Sequence, residues 1–315
     1  MHYKLTRREF FQKSIAASAA VALTKIGGGT VGSAQAASTA PVLAKISGSG
    51  VPENLAGALK KLLAPLGGMA AFVKKGNTVL LKPNIGFPNP PAQRATTSPE
   101  LVATVAREVL ACGASKVLVM DNPVRHPAAC LKVCGFVEAL RDLGISVILP
   151  TSEKFYTPVE IPKGKVLKRT NVLKEALAID VHIALPIAKS HNVTGFSGAL
   201  KGMMGLILDR ESFHSTLEIN QAIADLCTVL KPHLTILDGL KVMASDGPCG
   251  PGELVTCNTL VASRDALAVD AVGVGLAPLY GKEIKPRQIK HLLLAEEHGV
   301  GKIDLLPEHM VALTL

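Results

Sequence analysis

Residues 190–205, SHNVTGFSGALKGMMG, set four glycines among a histidine, a lysine and short hydroxyl and amide side chains. Gly195, Gly198, Gly202 and Gly205 allow positive φ or close backbone approach. A helix opening at Gly198 would point free N–H groups at an anion, with Thr194 and Ser197 adding hydroxyl donors and Lys201 a full charge. A helix end offers an anion roughly 0.3 to 2 kcal/mol and a charge-assisted hydrogen bond roughly 1.5 to 3. Lys201 would therefore carry more of the affinity than the helix. The alternative is that the glycines only let a helix pack closely on a sheet. His191, beside Lys189, and His214, beside Asp209, Arg210 and Glu211, are acid/base candidates. His182 lies in an apolar run and reads as a core histidine.

Five apolar runs deliver polar groups at their carboxyl ends: Lys82 and Asn84, Asp121 and Asn122, Lys189 and His191, Asp238, and Ser263 to Asp265. In an open α/β sheet ligands bind outside those ends, so the groups are expected to converge on one cleft. The segment DGLKVMASDGPCGPGE, 238–253, is rich in glycine and proline and could hold Asp238, Asp246 and Glu253 toward it. Asp270 sits inside the apolar helix pattern SRDALAVDAVG, where a carboxylate needs a partner or a function; Asp265 suits a helix cap. The stretch 190–205 fits no Walker A pattern and lacks GxGxxG, and no serine sits in a GxSxG elbow.

The elements that must position these groups are legible in the apolar pattern. TVLLK, KVLVMD, ISVILP, DVHIALP, LTILDG and NTLVAS are apolar on both faces, the mark of strands covered on both sides. Between them, Ser98-Pro99-Glu100 begins a helix that stops at Gly113, and Ser215 to Glu218 reads as a capping box. The fold class is α/β: an open, mostly parallel sheet with helices on both faces, rather than a closed barrel. Residues 151–171 suggest a surface excursion or small subdomain.

The first 36 residues read as a twin-arginine export signal: Arg7-Arg8 in TRREFF, a short apolar segment, then AQA. The apolar segment is shorter than the ~20 residues a bilayer span needs, so no permanent membrane span is expected. That assigns 1–36 to a signal peptide read by the export machinery and 37–315 to the mature domain, in the periplasm or another extracytoplasmic space. Of the formal charge of +9, +4 belongs to the leader. The remaining basic residues are scattered, and with no Trp and three Tyr a nucleic-acid surface is not expected. Six cysteines are too sparse for a disulfide scaffold and form no ferredoxin-type run. Cys112, Cys130, Cys134 and Cys227 read as packing residues.

The segments VLLKPNIG, TTSPELV, LPIAKSHNVTGFSGALKGMMG, ILDGLKVMASDGPCGPGE and ASRDALAVDAVG, in this order, resemble the domain-of-unknown-function family 362 (DUF362) over roughly residues 77–304. Lys82, Asn84, Lys189, His191, Lys201, Asp238 and Asp270 match its motif positions. The resemblance implies a family that includes iron–sulfur and twin-arginine-exported members and whose reaction is unsettled. This chain departs from it in lacking a four-cysteine run and in placing Gly202 where asparagine is common. The residues and the resemblance together lead to an exported protein that binds an anionic small molecule or a metal-bound cofactor. Lys189, His191, Asp238 and Asp270 are the catalytic candidates. Lys82, Asn84, Thr194, Ser197, Gly198, Lys201 and Asp246 are the ligand-binding ones. A redox or cofactor-related enzyme, a non-catalytic periplasmic binding protein, a redox partner and an iron–sulfur carrier all stay open, as does the identity of any metal.

Overall fold

Alternation along each apolar run decides which face of the sheet each side chain enters. In the computed structural model, which describes residues 42–150 and 152–315, Val79 and Leu81 enter one core while Leu80, between them, enters another. The proposed export signal lies outside the described residues. The strands are β1 (Leu43–Ser47), β2 (Thr78–Pro83), β3 (Lys116–Met120), β4 (Val147–Ile148), β5 (Tyr156–Glu160), β6 (Arg169–Leu173), β7 (Val181–Leu185), β8 (Ile187–His191), β9 (Gly195–Ser197), β10 (Leu234–Met243), β11 (Leu254–Ser263) and β12 (Met310–Thr314). The principal helices are α1 (Leu55–Leu63), α2 (Pro99–Ala111), α3 (Ala199–Gly202), α4 (Ile219–Cys227), α5 (Ala266–Val274) and α6 (Lys290–Glu297).

The main sheet runs β12-β1-β11-β10-β7-β2-β3-β4, with β8 attached to β10 and β9 to β8. The pairs from β10 to β4 are parallel, as is β1 with β12. Strand β11 runs against both of its neighbours. The sheet is open and mostly parallel. Helices α1 and α2 cover one face through Leu59, Leu62, Val102 and Val105. Helices α4, α5 and α6 cover the other through Ile223, Leu226, Leu267 and Leu292.

Caps place the helix starts. Ser98 Oγ accepts the Leu101 N–H at 3.3 Å, and Asp265 Oδ1 accepts those of Leu267 and Ala268 at 2.9 and 3.0 Å; such caps contribute about 1 kcal/mol each. The cap of α4 is Glu218, which takes the Asn220 and Gln221 N–H groups, rather than Ser215. Ser215 instead closes the short helix Ser212–Ser215.

Residues 152–173 contain the antiparallel pair β5–β6; Tyr156 and Val172 of the strands and Ile161 and Leu167 of their connection enter the core shared with α4, α5 and α6. The fully buried Asp225 of α4 anchors it. One carboxylate oxygen accepts the successive N–H groups of Lys165, Val166 and Leu167 at 2.8, 2.8 and 2.9 Å. Gln221 and His298 meet the other oxygen at 2.8 Å each. Although burial opposes it, these donors hold the Asp225 carboxyl below its ordinary range.

Candidate functional site

A cavity of about 710 Å³ opens beyond the carboxyl ends of β2, β3 and β8. Strand β2 brings Lys82 and Asn84, and β3 brings Asp121 and Asn122. Strand β8 supplies Lys189 and His191, β9 Ser197, and α3 Lys201 and Gly202. The segment after α3 closes one side with Gly205, Arg210 and His214, and the β10–β11 loop closes another with Pro248 and Cys249. A volume of this size suits a small organic ligand.

The three cavity lysines have different fates. Lys82 Nζ donates to Asp121 Oδ1 at 2.8 Å and to the Pro83 carbonyl at 2.8 Å. Asp121 Oδ2 also accepts the Ile85 N–H at 2.6 Å, so this buried pair is internally satisfied. Gly205 is required beside it, because a Cβ there would overlap Asp121 Oδ1 and crowd Lys82 Nζ at 2.7 Å. Lys189 is 1% exposed. Its Nζ donates to the Ala95 carbonyl and, at 3.0 Å, to that of Pro248, and it lies 5.1 Å from the centre of the Phe87 ring. Lys201 makes no hydrogen bond or ion pair among the described residues. Burial, then the nearby Arg210 and Lys82, bring its ammonium down to about 8. Burial and Lys201 bring Lys189 down to about 7.

His191 Nδ1 accepts the N–H groups of Val193 and Thr194 at 3.2 and 3.3 Å. The neutral ring therefore carries its hydrogen on Nε2, the atom the loop does not engage. Burial, with Lys201 and Lys189 beside it, lowers its pKa to about 3, so the ring is neutral at pH 7. The His214 ring stacks near it at 6.3 Å between centroids.

The structure thus brings Lys82, Asn84, Lys189, His191, Ser197 and Lys201 to one cavity. It takes the other sequence candidates elsewhere. Asp238 is fully buried and holds Arg94 in an ion pair while accepting the Ser98 N–H at 2.8 Å. It ties the start of α2 to β10. Thr194 donates to the Phe196 carbonyl at 2.9 Å. Asp246 is exposed and accepts the Ser245 hydroxyl at 2.7 Å. The fifth expected strand end also fails to converge: β11 is antiparallel to β10, with Ser263 opposite Thr235 at the start of that strand, which puts Ser263 to Asp265 at the other end of the strands from the cavity.

The glycine loop differs most from its reading. Residues 187–197 form the antiparallel pair β8–β9 before α3 begins. The anion at the start of α3 is the protein's own Asp270, which accepts the Ala199 and Leu200 N–H groups at 2.6 and 2.9 Å. Gly198 lacks a side chain because a Cβ would overlap Asp270 Oδ1. That carboxylate is fully buried, and burial raises it to about 7 against the pull of the two N–H groups. Gly198 and Asp270 therefore dock α3 on α5 and do not line the cavity. Arg210 was not among the candidates; it lies half-buried in the cavity wall, its Nη1 donating to the Asn122 carbonyl at 2.5 Å. The expectation that polar groups gather beyond strand ends cannot find it, since it sits four residues past the last helical turn of its segment.

His291, on α6, is fully buried with neither ring nitrogen partnered. Burial and Lys201 lower it from 6.5 to about 3. Between those pH values the unfolded chain holds a proton that the folded protein lacks, so stability falls as pH drops below 6.5. His182 and His191 act in the same direction, while Asp270, raised to about 7, acts against them. His291→Leu is expected to raise the urea midpoint more at pH 5 than at pH 8. An equal change at the two pH values would acquit this ring of acid sensitivity.

Among the described residues no group of three or more His, Cys, Asp or Glu side chains could hold a metal ion. All six cysteines are free thiols, with Cys130, Cys134 and Cys227 buried and Cys249 in the cavity wall. No helix among the described residues is long and apolar enough to cross a membrane.

A family model described as Domain of unknown function (DUF362) matches residues 79–275. The thylakoid-associated protein sll1697 of Synechocystis sp. is 31% identical over 216 residues, which is 66% of this chain and 65% of that protein. The match thus spans about two thirds of the relative's length. The lactate racemase apoprotein of Thermoanaerobacterium thermosaccharolyticum is 14% identical with a TM-score of 0.48, over 75% of this chain and 57% of its own. A protein from Thermotoga maritima is 13% identical with a TM-score of 0.39, over 78% of this chain and 59% of its own. Neither likeness is close enough to bear on chemistry.

Proposed function

The chain belongs to the DUF362 family, and for this member we propose an exported protein whose cavity binds an anionic small molecule, with His191 placed to exchange protons with it. The observation that carries the reading is Lys201, without a partner among the described residues, in a wall that also holds Arg210 and Lys189. Three cations in one partly enclosed space repel one another, and a carboxylate or phosphate relieves that repulsion at short range. Lys82 adds little, because Asp121 already neutralises it. Cys249 and His214 border the same space, and the neutral His191 can donate from Nε2 to a ligand oxygen.

The reading makes anion affinity depend on pH in a defined direction. Lys201 and Lys189 lose their protons near pH 8 and 7, and only the protonated forms attract an anion. Thermal-shift titration with phosphate, citrate and glutarate, each referred to ligand-free protein at the same pH, is expected to show stabilisation at pH 6.5 that fades by pH 9. Added salt should weaken it. Failure of every anion to stabilise the protein at pH 6.5, or responses of the same size at both pH values, would contradict the reading.

Export is proposed from the TRREFF and AQA segments. Arg7→Lys with Arg8→Lys is expected to leave uncleaved precursor in the cytoplasm, because the twin-arginine route reads the guanidinium pair and not charge alone. Undiminished appearance of that variant outside the cytoplasm would remove the proposal.

A further inference from the structure

To act as a nucleophile an amine must be free to move up to the carbonyl carbon, and the cavity lysines differ in that freedom. Lys82 is held by Asp121 and the Pro83 carbonyl. Lys189 is held by two carbonyls and packed on Phe87. Lys201 alone of the three has no hydrogen-bonding partner among the described residues, and its side chain belongs to the cavity wall. The adjoining residue supplies room. Gly202 has ordinary helical angles, φ −59° and ψ −27°, so its backbone does not require glycine, and a Cβ there would meet nothing within 4 Å. Glycine in a helix costs up to about 1 kcal/mol relative to alanine. Here that cost is offset by no packing demand, and the space left open borders the free amine.

From this arrangement we infer that Lys201 forms an imine with a small 2-oxo acid, the carboxylate of which is held by the neighbouring Arg210 guanidinium in the same cavity wall. The inference rests on the anion-binding reading and narrows it to one chemical class. The Lys201 Nζ lone pair attacks the ketone carbon, the C=O π pair moves to oxygen, and that oxygen takes up a proton as nitrogen gives one up. The carbinolamine then loses its hydroxyl with a second proton as water while the C=N bond forms, so amine and ketone become imine and water with no oxidant or reductant. Unlike a surface lysine near 10.5, Lys201 titrates at about 8 and holds a substantial neutral fraction near pH 8. Anion attraction and imine formation consequently have opposite pH preferences, the first weakening and the second rising as the amine loses its proton.

The test treats the full chain at pH 8 with pyruvate, glyoxylate or 2-oxoglutarate and sodium cyanoborohydride, which reduces an imine to a stable secondary amine. Intact-mass and peptide analysis then locate the adduct. Glutarate, which matches 2-oxoglutarate but lacks its ketone, serves as competitor and as a separate thermal-shift ligand. The expected result is one reduced adduct, mapped to Lys201, suppressed by excess glutarate and lost in Lys201→Arg. Lys201→Arg keeps the charge, and a ligand-free melting temperature equal to that of the wild type shows that it is folded. An adduct shared evenly among surface lysines, placed on Lys189, or retained in Lys201→Arg overturns the inference. Stabilisation by glutarate and the oxo acids with no adduct overturns the imine and leaves anion binding standing. No stabilisation and no adduct overturns both.

Discussion

Asp121→Ala is expected to destabilise the protein by about 3 to 5 kcal/mol, the usual cost of stranding one member of a buried ion pair. The variant leaves Lys82 Nζ with only the Pro83 carbonyl and deprives the Ile85 N–H of its acceptor. Both side chains are nearly closed to solvent, at 3% and 5% exposure, so water cannot stand in for the carboxylate. Removing both charges avoids the stranded ion, and Lys82→Met with Asp121→Leu is expected to recover most of the loss. A surface pair makes the contrast. Arg141 and Glu138 are 64% and 71% exposed, and Glu138→Ala should cost no more than about 1 kcal/mol. Urea denaturation of the four proteins settles the comparison. A loss under about 1 kcal/mol for Asp121→Ala would mean that the Lys82 pair is solvated like a surface pair.

How much of this could be read from the chain depends on what kind of signal each feature leaves. The strands from TVLLK to NTLVAS were legible because a strand buried on both faces is an uninterrupted apolar run. Ser98 and Asp265 were legible because a cap is a local event. Direction is not: the apolar pattern of NTLVAS is the same whichever way β11 runs, and its antiparallel course separates Ser263 to Asp265 from the other strand ends. Asp270 was visible as an acid needing a reason for its place in an apolar helix, and Asp238 as a strand-end group aimed at the cleft, but the partners of both lie far along the chain. Asp238 answers Arg94, 144 residues away, and Asp270 answers the Ala199 N–H, 71 residues away. An internal carboxylate thus occupies the helix start that the glycines suggested for a ligand. The spacing of glycines cannot distinguish an external anion from an internal one, since both need the same close backbone approach. Lys82, Lys189 and His191 reach the cavity because they lie at the carboxyl ends of β2 and β8, where a parallel sheet opens its crevice, and Lys201 because α3 starts directly after β9. Arg210 left no comparable sign.

Lys201→Ala is expected to weaken the binding of a stabilising anion by roughly 1.5 to 3 kcal/mol, the worth of a charge-assisted hydrogen bond. That corresponds to about one to two decades in Kd. The side chain has no partner among the described residues to strand, so folding stability should change by no more than about 0.5 kcal/mol, as for a substitution away from packed or paired groups. Isothermal titration calorimetry at pH 6.5 with glutarate, comparing wild type, Lys201→Ala and Lys61→Ala as an exposed control on α1, measures this directly. The account expects Lys61→Ala to bind like wild type and Lys201→Ala to lose affinity by that margin. Equal affinity in all three proteins would contradict it.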